Sequence, residues 1–129
     1  MVFETGAPAR LLGFGLSLAL LAAPAQAGQI HSNLQIEPAR TFESGGGQEG
    51  SFVLTGRNTG PVAVVVLAQA PGAKPAVRGT VAPGGDVQAA FGPREMALLL
   101  NTSAKATARL KLTISGDTSS LGMTYSANP

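Results

Sequence analysis

Cysteine and tryptophan are absent from the 129 residues, tyrosine and histidine occur once each, and only 12% of the chain is charged. Each scarcity removes a class of chemistry. Without Cys there is no disulfide framework, no thiol nucleophile and no thiolate metal site. A lone histidine, His31 in Ile30-His31-Ser32-Asn33, has no second imidazole to share a metal with, and metal sites need several converging ligands; it reads as an ordinary strand residue. Glu37, Glu43, Glu49, Asp86, Glu95 and Asp117 are scattered over loops and strand ends, so nothing sets two carboxylates across a reacting bond. Asp86 and Asp117 beside glycines read as turn formers that bond their own backbone. No serine stands in a Gly-x-Ser-x-Gly context. Aromatics make up 5% of the chain, which disfavours sugar stacking; Tyr125 alone could serve a pyranose, and it reads first as a half-buried rim residue. The expectation is a protein without enzymatic activity, cofactor or metal.

What is present is alternation. Ala106, Ala108, Leu110, Leu112 and Ile114 share one face of a stretch whose other face carries Thr107, Arg109, Lys111 and Thr113. A period of two over that length is a half-buried β-strand, apolar on one side and basic on the other. Ahead of it, Gln29 to Ile36 reads as a first strand through Ile30, Leu34 and Ile36, ending at Pro38. Thr41 to Gly50, with Gly45-Gly46-Gly47, reads as a mobile loop; the Gly-Lys-Ser/Thr of a phosphate loop is missing. Ser51 to Arg57 is a strand with Phe52 and Leu54 on one face, and Asn58-Thr59-Gly60-Pro61 is a turn. Val62 to Ala68 is apolar without alternation, as in a strand covered on both sides or lying against a partner. Val77, Gly79 and Val81, then Pro83-Gly84-Gly85, then Val87, Ala89 and Phe91 read as a hairpin. Met96, Leu98 and Leu100 come next, then Asn101-Thr102-Ser103, formally a glycosylation sequon but read as a polar turn. Gly116 to Ser119 turns the chain into Leu121, Met123 and Tyr125.

Seven or eight short strands at regular spacing indicate an all-β antiparallel β-sandwich, with a small closed barrel as the alternative. Its expected core is Phe52, Leu54, Val64, Val66, Val87, Phe91, Leu98, Leu100, Leu110, Leu112, Ile114, Leu121 and Met123.

At the N-terminus, the uncharged apolar run 11–23 behind Arg10, closed by Ala25-Gln26-Ala27, reads as a secretory signal peptide over residues 1–27. Thirteen residues are too few for a membrane anchor. The expected product is one exported domain, residues 28–129, without stable membrane insertion. It keeps eight basic against six acidic residues, too small an excess to argue for nucleic acid. An acidic partner on a local patch fits better, and Arg109 and Lys111, with Arg57 on a nearby strand, are the candidate partner-binding residues.

The order of elements is similar to the small periplasmic proteins of curli assembly, the CsgC/CsgH type. The segments that resemble them are Gly50-Ser51-Phe52-Val53-Leu54-Thr55, Val64-Val65-Val66-Leu67 leading to Pro71-Gly72, and Val81-Ala82-Pro83-Gly84-Gly85. Leu110 to Asp117, followed by Ser120 to Ser126, resembles their last two strands. The resemblance implies an immunoglobulin-like sandwich in the periplasm that keeps a secreted amyloid-forming subunit from fibrillising before export. The better-known branch carries a Cys-x-Cys where this chain reads Gly60-Pro61-Val62-Ala63, so no redox role is implied. The alternatives are an exported carbohydrate-binding or adhesion module and a structural fibre subunit. A fibre subunit would polymerise, whereas an inhibitor is expected to be monomeric.

Overall fold

The computed structural model describes residues 27–128; the expected signal peptide lies outside them, save for Ala27, which opens the first strand. The described residues form nine strands: β1 (Ala27–Ile36), β2 (Arg40–Gly45), β3 (Phe52–Asn58), β4 (Val64–Gln69), β5 (Ala76–Val81), β6 (Asp86–Phe91), β7 (Met96–Asn101), β8 (Ala108–Asp117) and β9 (Met123–Ala127). They make two antiparallel sheets in a sandwich-like pair, one ordered β1-β8-β3-β6 and the other β5-β4-β7-β2-β9. Only β4 and β5 are neighbours both in sequence and in a sheet. Every other connection carries the chain from one sheet to the other.

The strand over 106–114 is β8, shifted to 108–117, with Ala106 left in the preceding loop. Its alternation holds: Ala108, Leu110, Leu112 and Ile114 are buried, while Arg109 and Lys111 are exposed. With Leu34, Ile36, Phe52, Leu54 and Phe91 they form the inner face of the four-stranded sheet. Phe42, Val64, Val66, Ala68, Val81, Ala97 and Leu99 supply the facing layer. Phe52 and Phe91 stack across β3 and β6 with centroids 5.0 Å apart.

Several sequence expectations are corrected. The stretch 41–50 is not a mobile loop: its first half is β2, paired on both sides by β7 and β9. Its glycines end the strand, with Gly45 and Gly46 at φ of 93° and 103°. Gln48, fully buried, then pins the turn beyond them: its amide donates to the carbonyls of Gly92 and Glu95 (3.0 and 2.8 Å) and accepts from the Gly46 N–H (2.8 Å). That extra strand brings the count to nine. Second, Val77–Val81 and Val87–Phe91 do not pair as a hairpin; β5 and β6 belong to different sheets, joined by a turn in which the Gly85 N–H donates to the Ala82 carbonyl (2.8 Å). Third, β4 does alternate, with Val64, Val66 and Ala68 buried and Val65 and Leu67 only half-buried on the outer face. Fourth, β7 is displaced by one residue from its expected facing. Ala97 and Leu99 enter the core, while Leu98 and Leu100 face outward; Leu98 is nonetheless only 6% exposed, beside Leu67 and Glu43 on flanking strands. Val87 and Leu121 only border the core and Met123 is exposed.

Two buried asparagines secure the connections. Asn58 donates to the carbonyls of Val62 and Val81 (2.8 and 3.0 Å), and its oxygen accepts the Gly60 N–H (3.0 Å), which makes the expected turn at 58–61. Asn101 donates to the carbonyls of Ile36, Glu37 and Ala106 and accepts the Ser103 N–H. An amide so committed and fully buried is a structural plug, not a glycan acceptor.

Candidate functional site

Residues of β8 that point outward are opposed by residues of β3 and β1 that do the same, because the register is even throughout. Lys111 stands directly across from Arg57 on one side and Asn33 on the other. Arg109, two residues along, faces Gln35. Arg57, Arg109 and Lys111 are therefore brought onto one exposed surface, the outer face of the four-stranded sheet. Gly56 makes the closeness possible. A side chain there would strike the Lys111 carbonyl oxygen, so the missing Cβ lets β3 lie tight against β8 one residue before Arg57.

The pairing of Arg57 with Lys111 sets like charges opposite each other, which disfavours the sheet by about 0.2–1 kcal/mol. Asp86, across from Arg57 on β6, approaches its guanidinium at 3.6 Å and offsets part of that repulsion. Both partners are exposed, so the pair contributes little to stability. Asp86 thus acts as a counter-charge, and Asp117 accepts the Gly50 N–H (2.8 Å) and the Ser119 hydroxyl (3.2 Å); neither is the self-bonding turn former the sequence suggested. Among the described residues, no carboxylate lies within ion-pair distance of Arg109 or Lys111.

The remainder of this face is uncharged and mostly hydrogen-bonding, with Val53 and Ala90 as its apolar members at the β3–β6 end. Gln29, His31, Asn33 and Gln35 project from β1, all exposed, in the row beside Ser115, Thr113, Lys111 and Arg109. His31 shares a hydrogen bond with Thr113 (Nδ1 to Oγ1 3.1 Å), the behaviour expected of a strand histidine. Two shallow depressions run along the β1–β8 seam. One, of about 350 Å³, is bordered by Asn33, Gln35, Thr59, Arg109 and Lys111, and the other, of about 390 Å³, by His31, Asn33, Lys111 and Thr113. The surface is wide, open and cationic at one end, a shape that suits an extended chain better than a compact small molecule. Sequence reasoning missed the β1 amides because nothing in 29–36 says which strand it joins; the only available signal was that Gln29, His31, Asn33 and Gln35 share a parity.

Tyr125 lies elsewhere. It packs edge-on against Phe42 (centroids 5.4 Å apart), and its hydroxyl donates to the Gln35 carbonyl at 3.2 Å, bridging β9 to β1. With Gln35, Glu37 and Arg40 it borders a groove of about 330 Å³, and it is 45% exposed. Among the described residues, no group of three His, Asp or Glu could hold a metal ion, and no helix is long and apolar enough to cross a membrane.

No family model, curated protein or solved structure matches this chain.

Proposed function

We propose that this protein is a periplasmic, non-enzymatic, chaperone-like inhibitor that prevents premature amyloid polymerisation of a secreted curli-type subunit. The observation that carries the reading is the gathering of Arg57, Lys111 and Arg109 on one exposed sheet face, with a single carboxylate, Asp86, set against them. Solubility alone would be served as well by charges of mixed sign. Clustered cations instead raise the local concentration of an acidic, disordered chain and speed encounter, an effect that weakens with salt. Amyloid grows by exposed strands meeting edge to edge, and a stable sandwich that engages such strands transiently delays the nucleus without joining the fibre. In this reading the protein is exported through a cleaved signal peptide over residues 1–27 and acts as a monomer. The reading takes the frame to be immunoglobulin-like: β3 beside β6 and β4 beside β7 support this as counterparts of the B–E and C–F neighbours. β8, set between β1 and β3 and not beside β7, departs from that pattern.

Purified chain, added well below the concentration of a curli-type subunit, should lengthen the lag of thioflavin-monitored fibrillation, most strongly at low salt. Arg109→Glu combined with Lys111→Glu should shorten that delay and leave the thermal melt nearly unchanged. A wild-type chain that leaves the lag untouched at every salt concentration would sink the inhibitor reading. An undiminished delay from the folded double variant removes the basic face from the mechanism.

A second reading, a carbohydrate-binding or adhesion module, draws on the groove where the half-exposed Tyr125 ring lies beside Glu37 and Arg40. Glycan binding that Tyr125→Ala abolishes would favour it.

A further inference from the structure

A two-sheet sandwich has four edges, and three of these are obstructed. β9 is only five residues long, too short to template a long added strand. β5 is broken by a bulge opposite Val66 and Leu67. Its Arg78 reaches over to β6, lies on the Phe91 ring, donates to the Ala90 carbonyl and pairs with Glu95 (2.8 Å). One side chain thereby interrupts two edges. Bulges, short strands and charges on the rim are the devices by which sheets refuse further strands.

β1 has none of them. It runs ten residues in unbroken register with β8, and Ala-Gly-Gln-Ile-His-Ser-Asn-Leu-Gln-Ile contains no proline, lysine, arginine or carboxylate. The bonds of β8 determine which backbone groups of β1 are free. The Arg109 carbonyl accepts from the Thr59 N–H, and the Asp117 N–H donates to the Ser51 carbonyl, so odd-numbered residues of β8 bond toward β3. Even-numbered ones must bond toward β1, where the register pairs them with Ile30, Ser32, Leu34 and Ile36. The N–H and C=O groups of Gln29, His31, Asn33 and Gln35 therefore point away from the sheet. The Gln35 carbonyl agrees, since it accepts from Tyr125 of the opposite sheet. Among the described residues, no strand pairs with the groups of Gln29, His31 and Asn33.

We infer that β1 is a capture edge, which adds an extended, acidic, amide-rich segment of the partner as a fifth strand of this sheet. The inference rests on the inhibitor reading above and supplies its binding mode. Main-chain bonds to Gln29, His31 and Asn33 would give affinity without demanding a sequence. The side chains of the same residues stand on the outer face, where Asn or Gln of the incoming strand would continue the row. Charge selects the occupant. An added strand lies two strand spacings from β8, roughly 10 Å, within reach of Arg109 and Lys111 at moderate salt. A second copy of this chain pairing β1 to β1 would instead place two basic rows on one continuous face.

The test uses isotope-labelled chain and a short synthetic peptide in which Asn, Gln and Asp alternate with Thr and Val. In the free chain the amides of Ile30, Ser32 and Leu34 should exchange slowly, and those of Gln29, His31 and Asn33 fast. With the peptide at about ten times its Kd, the second set should slow about tenfold. Asn33→Pro removes a donor aimed at the free edge, not at β8, and should weaken peptide binding at least about tenfold while the protein stays folded. The same peptide N-methylated along its pairing side keeps its charge and side chains, requires no variant, and should not bind. Equal binding of the methylated peptide, or binding without slowed exchange at Gln29, His31 and Asn33, overturns the capture edge. So does protection of those amides in the free chain that rises with its own concentration, the mark of self-pairing. The two readings separate in the fibrillation assay. Edge protection without any delay of the subunit retains the capture edge and ends the inhibitor reading. A delay undiminished in Asn33→Pro does the reverse.

Discussion

The two sheets turn opposite characters to solvent. Outside the four-stranded sheet stand mainly amides, hydroxyls and the cations Arg57, Arg109 and Lys111, with Asp86 as the one carboxylate and Val53 and Ala90 as small apolar members. Outside the five-stranded sheet, Val65, Leu67, Leu98 and Leu100 form an apolar stripe that runs out to Val77, which is 66% exposed. Both faces belong to one fold with one core, so neither character is forced by folding. The apolar stripe is partly self-covering: Leu98 is almost buried by its cross-strand neighbours, and such lateral pairs contribute to the sheet itself. On the polar face, Arg57 is set against Asp86 but Arg109 and Lys111 have no such counterpart among the described residues, and the proposed function rests on that contrast.

The inner side of the polar sheet gives the most severe test of this difference. Leu112→Ala, which removes a buried side chain between the sheets, should destabilise by about 2–5 kcal/mol, whereas its neighbour Thr113→Ala, on the polar face, should change far less. Equal losses in denaturant melts would mean that the outer face contributes as the core does. A smaller loss, about 1–2 kcal/mol, is expected for Leu98→Ala, because its burial comes from neighbours in its own sheet. If that variant melts like wild type, the stripe is ordinary exposed surface and the two faces differ only in chemistry. Smallest of all is Lys111→Thr, which relieves the repulsion with Arg57 and should stabilise by a few tenths of a kcal/mol. A loss in the melt would assign Lys111 a structural role and weaken its claim to a partner.

The same contrast explains what was legible in the sequence. β1, β3 and β8 could be read because one face is polar and the other apolar, so period two stands out. β7 could not be set in register, since Ala97-Leu98-Leu99-Leu100 is apolar on both faces and either parity satisfies it. β2 was hidden by the three glycines behind it and by having Phe42 as its only large apolar residue; two of its buried positions, Thr41 and Ser44, are polar. That Arg109 and Lys111 share a face comes from spacing alone. That Arg57 meets Lys111 comes from β3 lying beside β8, a long-range pairing that no local pattern encodes.

That pairing has a cost in time. Only β4 and β5 can close as a local hairpin, while β1 must wait for β8, almost the last strand to be synthesised. Folds dominated by distant contacts assemble slowly. During that interval Gln29 to Ile36 is an unpaired strand on both sides, able to join whatever extended chain is near. A protein whose first strand finds its partner last carries, in its own immature form, the hazard of strand addition that it is proposed to restrain in another.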